Sequence, residues 1–166
     1  DGSYDVIVPS SGGKDSGYIA HQLKYKYGMN PLTVTWAPLL YAEIGRKNFQ
    51  SLVDAGLDNL CGTVNTDVSR VLARLAFENM ADPFQSWIYG LVNFPLRMSV
   101  LHDIPLIMYG EYSESEYGGT MNFGATSDPS VHNQLAFQNR PVEYWKNFGL
   151  TDRDLYPYHA PSPDSL

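Results

Sequence analysis

Six consecutive residues, Ser11-Gly12-Gly13-Lys14-Asp15-Ser16, put two glycines, two hydroxyl groups, a cation and a carboxylate into one turn of chain. The chemistry this set suits is phosphate binding. Gly12 and Gly13 let an anion approach the main chain, and the unpaired N–H groups of a helix starting there point toward it. Lys14 adds positive charge, and Ser11 and Ser16 add donors. A second stretch, Gly110-Glu111-Tyr112-Ser113-Glu114-Ser115-Glu116-Tyr117-Gly118-Gly119, gathers three carboxylates and two tyrosines. Carboxylates do not bind phosphates directly; they bind the Mg²⁺ that bridges them, or orient a hydroxyl or amide of the substrate. A solvated acidic loop is the plain alternative.

Both stretches need elements to position them. Tyr4-Asp5-Val6-Ile7-Val8-Pro9 reads as a buried strand entering the loop, and Tyr18 to Lys24 has the helical periodicity of the element leaving it. Gly28-Met29-Asn30-Pro31 stops that helix, and Leu32-Thr33-Val34-Thr35-Trp36 is a second strand. This is a βαβ unit, whose strands pair in parallel through a right-handed crossover and offer ligands their carboxyl ends. The end of the second strand should therefore line the same crevice as the loop. Trp36 can stack on a ligand there or pack in the core, and the residue type leaves both open.

A second helix is expected over Ala42 to Ala55, with Ile44, Phe49, Leu52 and Val53 on its apolar side, and a third strand over Leu57 to Val64. Cys61 in that strand reads as a small buried hydrophobe rather than a nucleophile. Asn65-Thr66-Asp67 caps a helix whose stripe of Val68, Val71, Leu72, Leu75 and Ala76 runs to Met80. Arg70 and Arg74 lie one turn apart on it, either solvated or within reach of nucleotide or substrate. Another helix spans Phe84 to His102, its aromatic start suited to core or to a ligand platform. Ile104 to Tyr109 is a fourth strand delivering the acidic stretch to the sheet edge. Thr120 to Gln138 loses periodicity, and Pro141 to Phe148 and Thr151 to Leu155 read as short helices, the second capped by Thr151.

Composition sets the outer limits. With 166 residues the chain is expected to be one domain able to bury about 70% of its unfolded surface. No run approaches the 18 or more apolar residues of a membrane span. The net charge of −7 argues against a nucleic-acid partner, whose phosphates need clustered Lys and Arg. A single cysteine leaves no disulfide framework and fits a reducing cytoplasm, and the four scattered histidines form no metal-binding pair. An opening Asp that leads straight into a strand suggests a piece of something longer.

The loop lacks the spacing of the common nucleoside-triphosphate motif, because Asp15 separates Lys14 from Ser16, and it lacks the dinucleotide G-x-G-x-x-G. It resembles instead the Ser-Gly-Gly-x-Asp-Ser signature of the PP-loop ATP pyrophosphatases. That resemblance implies a Rossmann-like parallel sheet with helices on both faces, of the HUP (adenine nucleotide alpha hydrolase-like) type. It also implies cleavage of ATP to AMP and pyrophosphate. Within the superfamily, the sequence is similar to the N-acetyl sugar amidotransferases of surface-polysaccharide and nonulosonic-acid biosynthesis. The residues carrying this are Leu32 to Pro38, Arg46-Lys47-Asn48-Phe49-Gln50-Ser51, Tyr109-Gly110-Glu111 with Glu114-Ser115-Glu116-Tyr117-Gly118, Gly149-Leu150-Thr151, and Asp154-Leu155-Tyr156-Pro157-Tyr158.

The likeness implies a PP-loop core over residues 1–118, with residues 119–166 as a loop and short helices on the same domain. The Cys-rich segment that family members carry before the loop is absent from this sequence. The implied reaction converts a sugar acetamido group to acetamidino with ATP, Mg²⁺ and ammonia. Ammonia would come from separate glutaminase and channel subunits, and the sugar would be N-acetylated and nucleotide-linked. Lys14, Asp15 and Glu111 would be catalytic, with Asp15 and Glu111 also placed to hold Mg²⁺. Ser11 to Ser16, Thr35, Trp36 and Gly110 would hold ATP. Glu114, Glu116, Tyr117, Arg70 and Arg74 would face the substrate. Other PP-loop chemistry, tRNA thiolation or amide synthesis, and a non-catalytic nucleotide-binding module remain the alternatives.

Overall fold

The β-branched run Val6-Ile7-Val8 has no solvent exposure on either side, as a central parallel strand requires. A computed structural model describes residues 2–111 and 140–162. Strand β1 (Val6–Pro9) leads through the glycine loop into α1 (Lys14–Tyr25), and β2 (Pro31–Trp36) returns parallel to it. Helix α2 (Glu43–Asp54) crosses to β3 (Asp58–Gly62), parallel to β2, so the sheet order is β1-β2-β3. Helices α3 (Thr66–Met80) and α4 (Gln85–His102) follow. The result is a small open α/β sheet.

Side-chain alternation assigns the two faces. Val6 and Val8 pack with Ala20 and Leu23 of α1 and Leu52 of α2. Ile7, Leu32 and Val34 point the other way, onto Ile104 and the α4 residues Phe94 and Met98. Helix α2 touches the sheet along one narrow row: Leu52 is buried, whereas Ile44 and Val53, expected on its apolar side, are exposed.

The expected fourth strand is reduced to one parallel bridge, Ile7 with Ile107. Ile7 N–H donates to the Leu106 carbonyl at 2.9 Å and Met108 N–H to the Ile7 carbonyl at 2.8 Å. Pro105 has no N–H to extend that ladder. The segment nevertheless runs beside β1 toward the same edge. Cys61 departs further from expectation: it is exposed, not buried. Among the described residues β3 pairs only with β2, and this edge position leaves the thiol in solvent near the Tyr41 hydroxyl, 3.9 Å away.

The C-terminal residues close the α3/α4 side. A 3-10 segment (Val142–Phe148), α5 (Asp152–Leu155) and a final 3-10 turn (Tyr156–Tyr158) bring Val142, Trp145, Leu155 and Tyr158 against Trp36, Leu72, Leu75 and Tyr89. Thr151 caps α5 in a reciprocal box with Asp154. Trp145 Nε1–H donates to the Tyr89 hydroxyl at 2.9 Å, which donates to the Arg140 carbonyl. Burial pushes the Tyr89 phenol up to about 12, so it stays neutral and keeps both bonds at ordinary pH. No helix among the described residues is long and apolar enough to cross a membrane.

Candidate functional site

The glycine loop sits where β1 ends and α1 begins, and its shape follows from what surrounds it. Gly12 has φ +87°, a left-handed conformation, and a β-carbon there would lie 2.7 Å from Phe49 N and 2.8 Å from the Asn48 carbonyl carbon. The loop is thus pressed onto the backbone of α2. Gly13 is the N-cap of α1 and supplies no side-chain acceptor, and the first intrahelical bond runs from Gly17 N–H to the Gly13 carbonyl at 3.0 Å. The first helical turn therefore opens toward whatever anion the loop accepts. Gly12→Ala should destabilise the protein by about 1–3 kcal/mol, since backbone strain adds to a collision with main chain that cannot rotate away. Urea unfolding checks this, and an unchanged midpoint would mean that the loop is not pressed onto α2.

A chain of polar groups lies under the loop. Ser10 Oγ and Ser16 Oγ share a hydrogen bond of 2.9 Å, and Gly12 N–H donates to Ser10 Oγ at 3.4 Å. The Thr35 hydroxyl donates to the Ser10 carbonyl. Asn59 Nδ2 donates to both Thr33 Oγ1 and Thr35 Oγ1 at 2.9 Å, while its Oδ1 is buried without a partner. Three adjacent strands are thereby tied to the loop's first residue. Ser10 and Asn59 were missed from sequence. Ser10 adjoins the motif directly, and Asn59 is a polar residue in register with Thr33 on an inner strand face.

Lys14 Nζ and the Asp15 carboxylate pair at 2.8 Å, with side chains 88% and 47% exposed. Such a pair contributes only about 0–1 kcal/mol, so a phosphate or a cation can separate it easily. Gly110 closes the site from the other side. A β-carbon on it would fall 2.6 Å from Ser16 N and 2.8 Å from the Asp15 carbonyl carbon, so the end of the Ile104–Tyr109 segment abuts the first turn of α1. Glu111, next in sequence, is exposed.

No family model matches the chain, and no curated protein matches it.

The remaining predicted residues separate. Thr35 is buried and engaged with Ser10, so its part in the site is structural support. Trp36 is a core residue: it is 7% exposed and lies edge-to-face against Tyr158 and tilted against Phe94. Its ring cannot stack on a ligand, which leaves only its backbone at the strand end. Arg70 and Arg74 pair with Asp67 and Glu78 on the solvent side of α3, and are not brought to the loop by any contact. Glu114, Glu116 and Tyr117 lie outside the described residues. Among the described residues no three His, Cys, Asp or Glu side chains cluster to hold a metal. Mg²⁺ with a nucleotide does not need such a cage, because one or two carboxylates plus phosphate oxygens suffice. Asp15 lies in the first turn of α1 and Glu111 follows Gly110, which packs on that turn, so these two carboxylates are the ones that could share such an ion.

Proposed function

We propose that this chain is the ATP-cleaving part of a cytoplasmic amidotransferase on a HUP-like scaffold, converting a sugar acetamido group to acetamidino. The observation that carries the reading is the packing of Gly110, the residue before Glu111, on the Asp15–Ser16 backbone at the start of α1. A loop alone supports nucleotide binding; a loop against which the residue before Glu111 packs supports chemistry at the α-phosphate.

In this reading the α1 amides, Ser11, Ser16 and Lys14 hold the pyrophosphate, and Asp15 and Glu111 hold Mg²⁺. When bound, Mg²⁺ would offset negative charge that grows on the phosphates. The amide oxygen of the substrate attacks the α-phosphorus and pyrophosphate leaves. Ammonia then adds to the imidate carbon, and AMP departs with the former amide oxygen. Ammonia in this reading comes from a separate glutaminase with its channel subunit, since Cys61, the one cysteine of the sequence, lies exposed on a strand and makes a poor glutaminase nucleophile.

The test is incubation with ATP, Mg²⁺, ammonium and an N-acetylated nucleotide sugar, followed by mass spectrometry. AMP and pyrophosphate should form in step with a sugar one mass unit lighter, oxygen having been exchanged for NH. ATP that binds but is never split would instead favour the nucleotide-binding module.

A further inference from the structure

A small concavity of about 150 Å³ opens between the carboxyl end of β3 and the C-terminal turns, bounded by Val64, Asn65 and Val68 on one side and by Arg153, Asp154 and Pro157 on the other. Tyr158 forms its floor. We propose that this concavity binds the ring of a neutral, hydroxylated sugar.

Size, charge and donor pattern lead there. At the ~30 Å³ that each water occupies in the liquid, the space holds about five waters, room for one ring and not for a whole nucleotide. Its single cation, Arg153, is matched by the Asp154 carboxylate beside it, so the lining is neutral overall. Arg153 forms no ion pair among the described residues. One Asp154 oxygen is taken by Thr151, through its N–H at 3.0 Å and its hydroxyl at 2.6 Å. Asn65 accepts the Asp67 N–H at 3.0 Å, which commits its oxygen and leaves its NH₂ to donate. Guanidinium, carboxylate and amide set around two valines and a proline offer vicinal hydroxyls both donors and acceptors and give a ring's C–H face an apolar wall.

Tyr158 has no solvent exposure, and its phenol lies beside Ser69, whose hydroxyl donates to Ser86 Oγ at 3.3 Å, so the floor is a packed aromatic wall. Asn93 Nδ2 holds the Tyr158 carbonyl at 2.6 Å, so the ring is fixed in place.

The concavity also lies at the edge where a substrate belongs. β3 ends beside it, two strands from the glycine loop, a lateral offset of about 10 Å at the usual strand spacing. The choice of an N-acetylated occupant rests on the reaction proposed above.

Saturation-transfer NMR with N-acetylglucosamine and its methyl glycoside, without ATP, tests the pocket. Ring protons should receive saturation from the wild-type chain. Arg153→Ala and Asn65→Gly should each weaken the sugar about tenfold or more. Glycine keeps the α3 cap nearly intact, and melting curves confirm that both variants are folded. No transfer from the wild type, or equal transfer from folded variants, overturns the pocket. Transfer that is lost in the variants while ATP is never cleaved upholds the pocket and removes the amidination reading. Sugar-dependent AMP release that both variants match does the reverse.

Discussion

Gly90→Ala is expected to destabilise the protein by about 3 kcal/mol or more, seen as a large drop in the urea midpoint. A β-carbon at Gly90 would stand 1.8 Å from Trp36 Cε2 and 1.9 Å from Nε1, inside the ring's own volume. The indole cannot step aside, because Phe94 and Tyr158 hold its other faces. The same exchange at Gly45, in α2, meets nothing within 4 Å and should stabilise by about 0.5–1 kcal/mol through helix propensity alone. Two glycine-to-alanine changes in helices should thus move the midpoint in opposite directions. An unchanged midpoint for Gly90→Ala would mean that Trp36 does not occupy that socket.

In the reaction proposed above, Asp15→Ala carries the largest expected effect on turnover, a fall in kcat of about 10²- to 10³-fold, the loss typical of removing one preorganised electrostatic group. Stability should change by no more than about 0.5 kcal/mol, because the side chain is half exposed and its ion pair among the described residues is with the neighbouring Lys14. Lys14→Ala should instead act mainly on the KM for ATP, since in that reaction Lys14 would contact the ground-state phosphates as well as the transition state. Steady-state release of pyrophosphate separates the two patterns. A kcat for Asp15→Ala within twofold of wild type would remove Asp15 from the chemistry.

The strand–loop–helix was legible because each residue in it obeys a local rule. Val6-Ile7-Val8 can only be a buried strand next to Gly12-Gly13, and Asn65 and Thr151 cap the helices they precede. What sequence did not carry is which face an element presents and what it meets there. Trp36 is an aromatic at a strand end, suited to a ligand until Gly90, far away in sequence, is found to provide a socket for it. Cys61 looked buried because its neighbours Leu60 and Val64 are apolar, but an edge strand shows it to solvent. Ser10 and Asn59 matter through hydrogen bonds that exist only once three strands are in register. Gly110 enters through the resemblance of Tyr109-Gly110-Glu111; its contact with Ser16 is a tertiary fact.

That exposed thiol has an experimental use. Cys61 is the only cysteine in the sequence, in register with Thr35, whose hydroxyl anchors Ser10 under the loop. Its neighbour Tyr41 lies under the Arg46 guanidinium of α2, the helix whose Asn48–Phe49 backbone touches Gly12. A fluorophore attached through maleimide would therefore sit at the end of a short mechanical linkage to the glycine loop. The unmutated chain comes with one addressable position from which nucleotide arrival can be followed in real time.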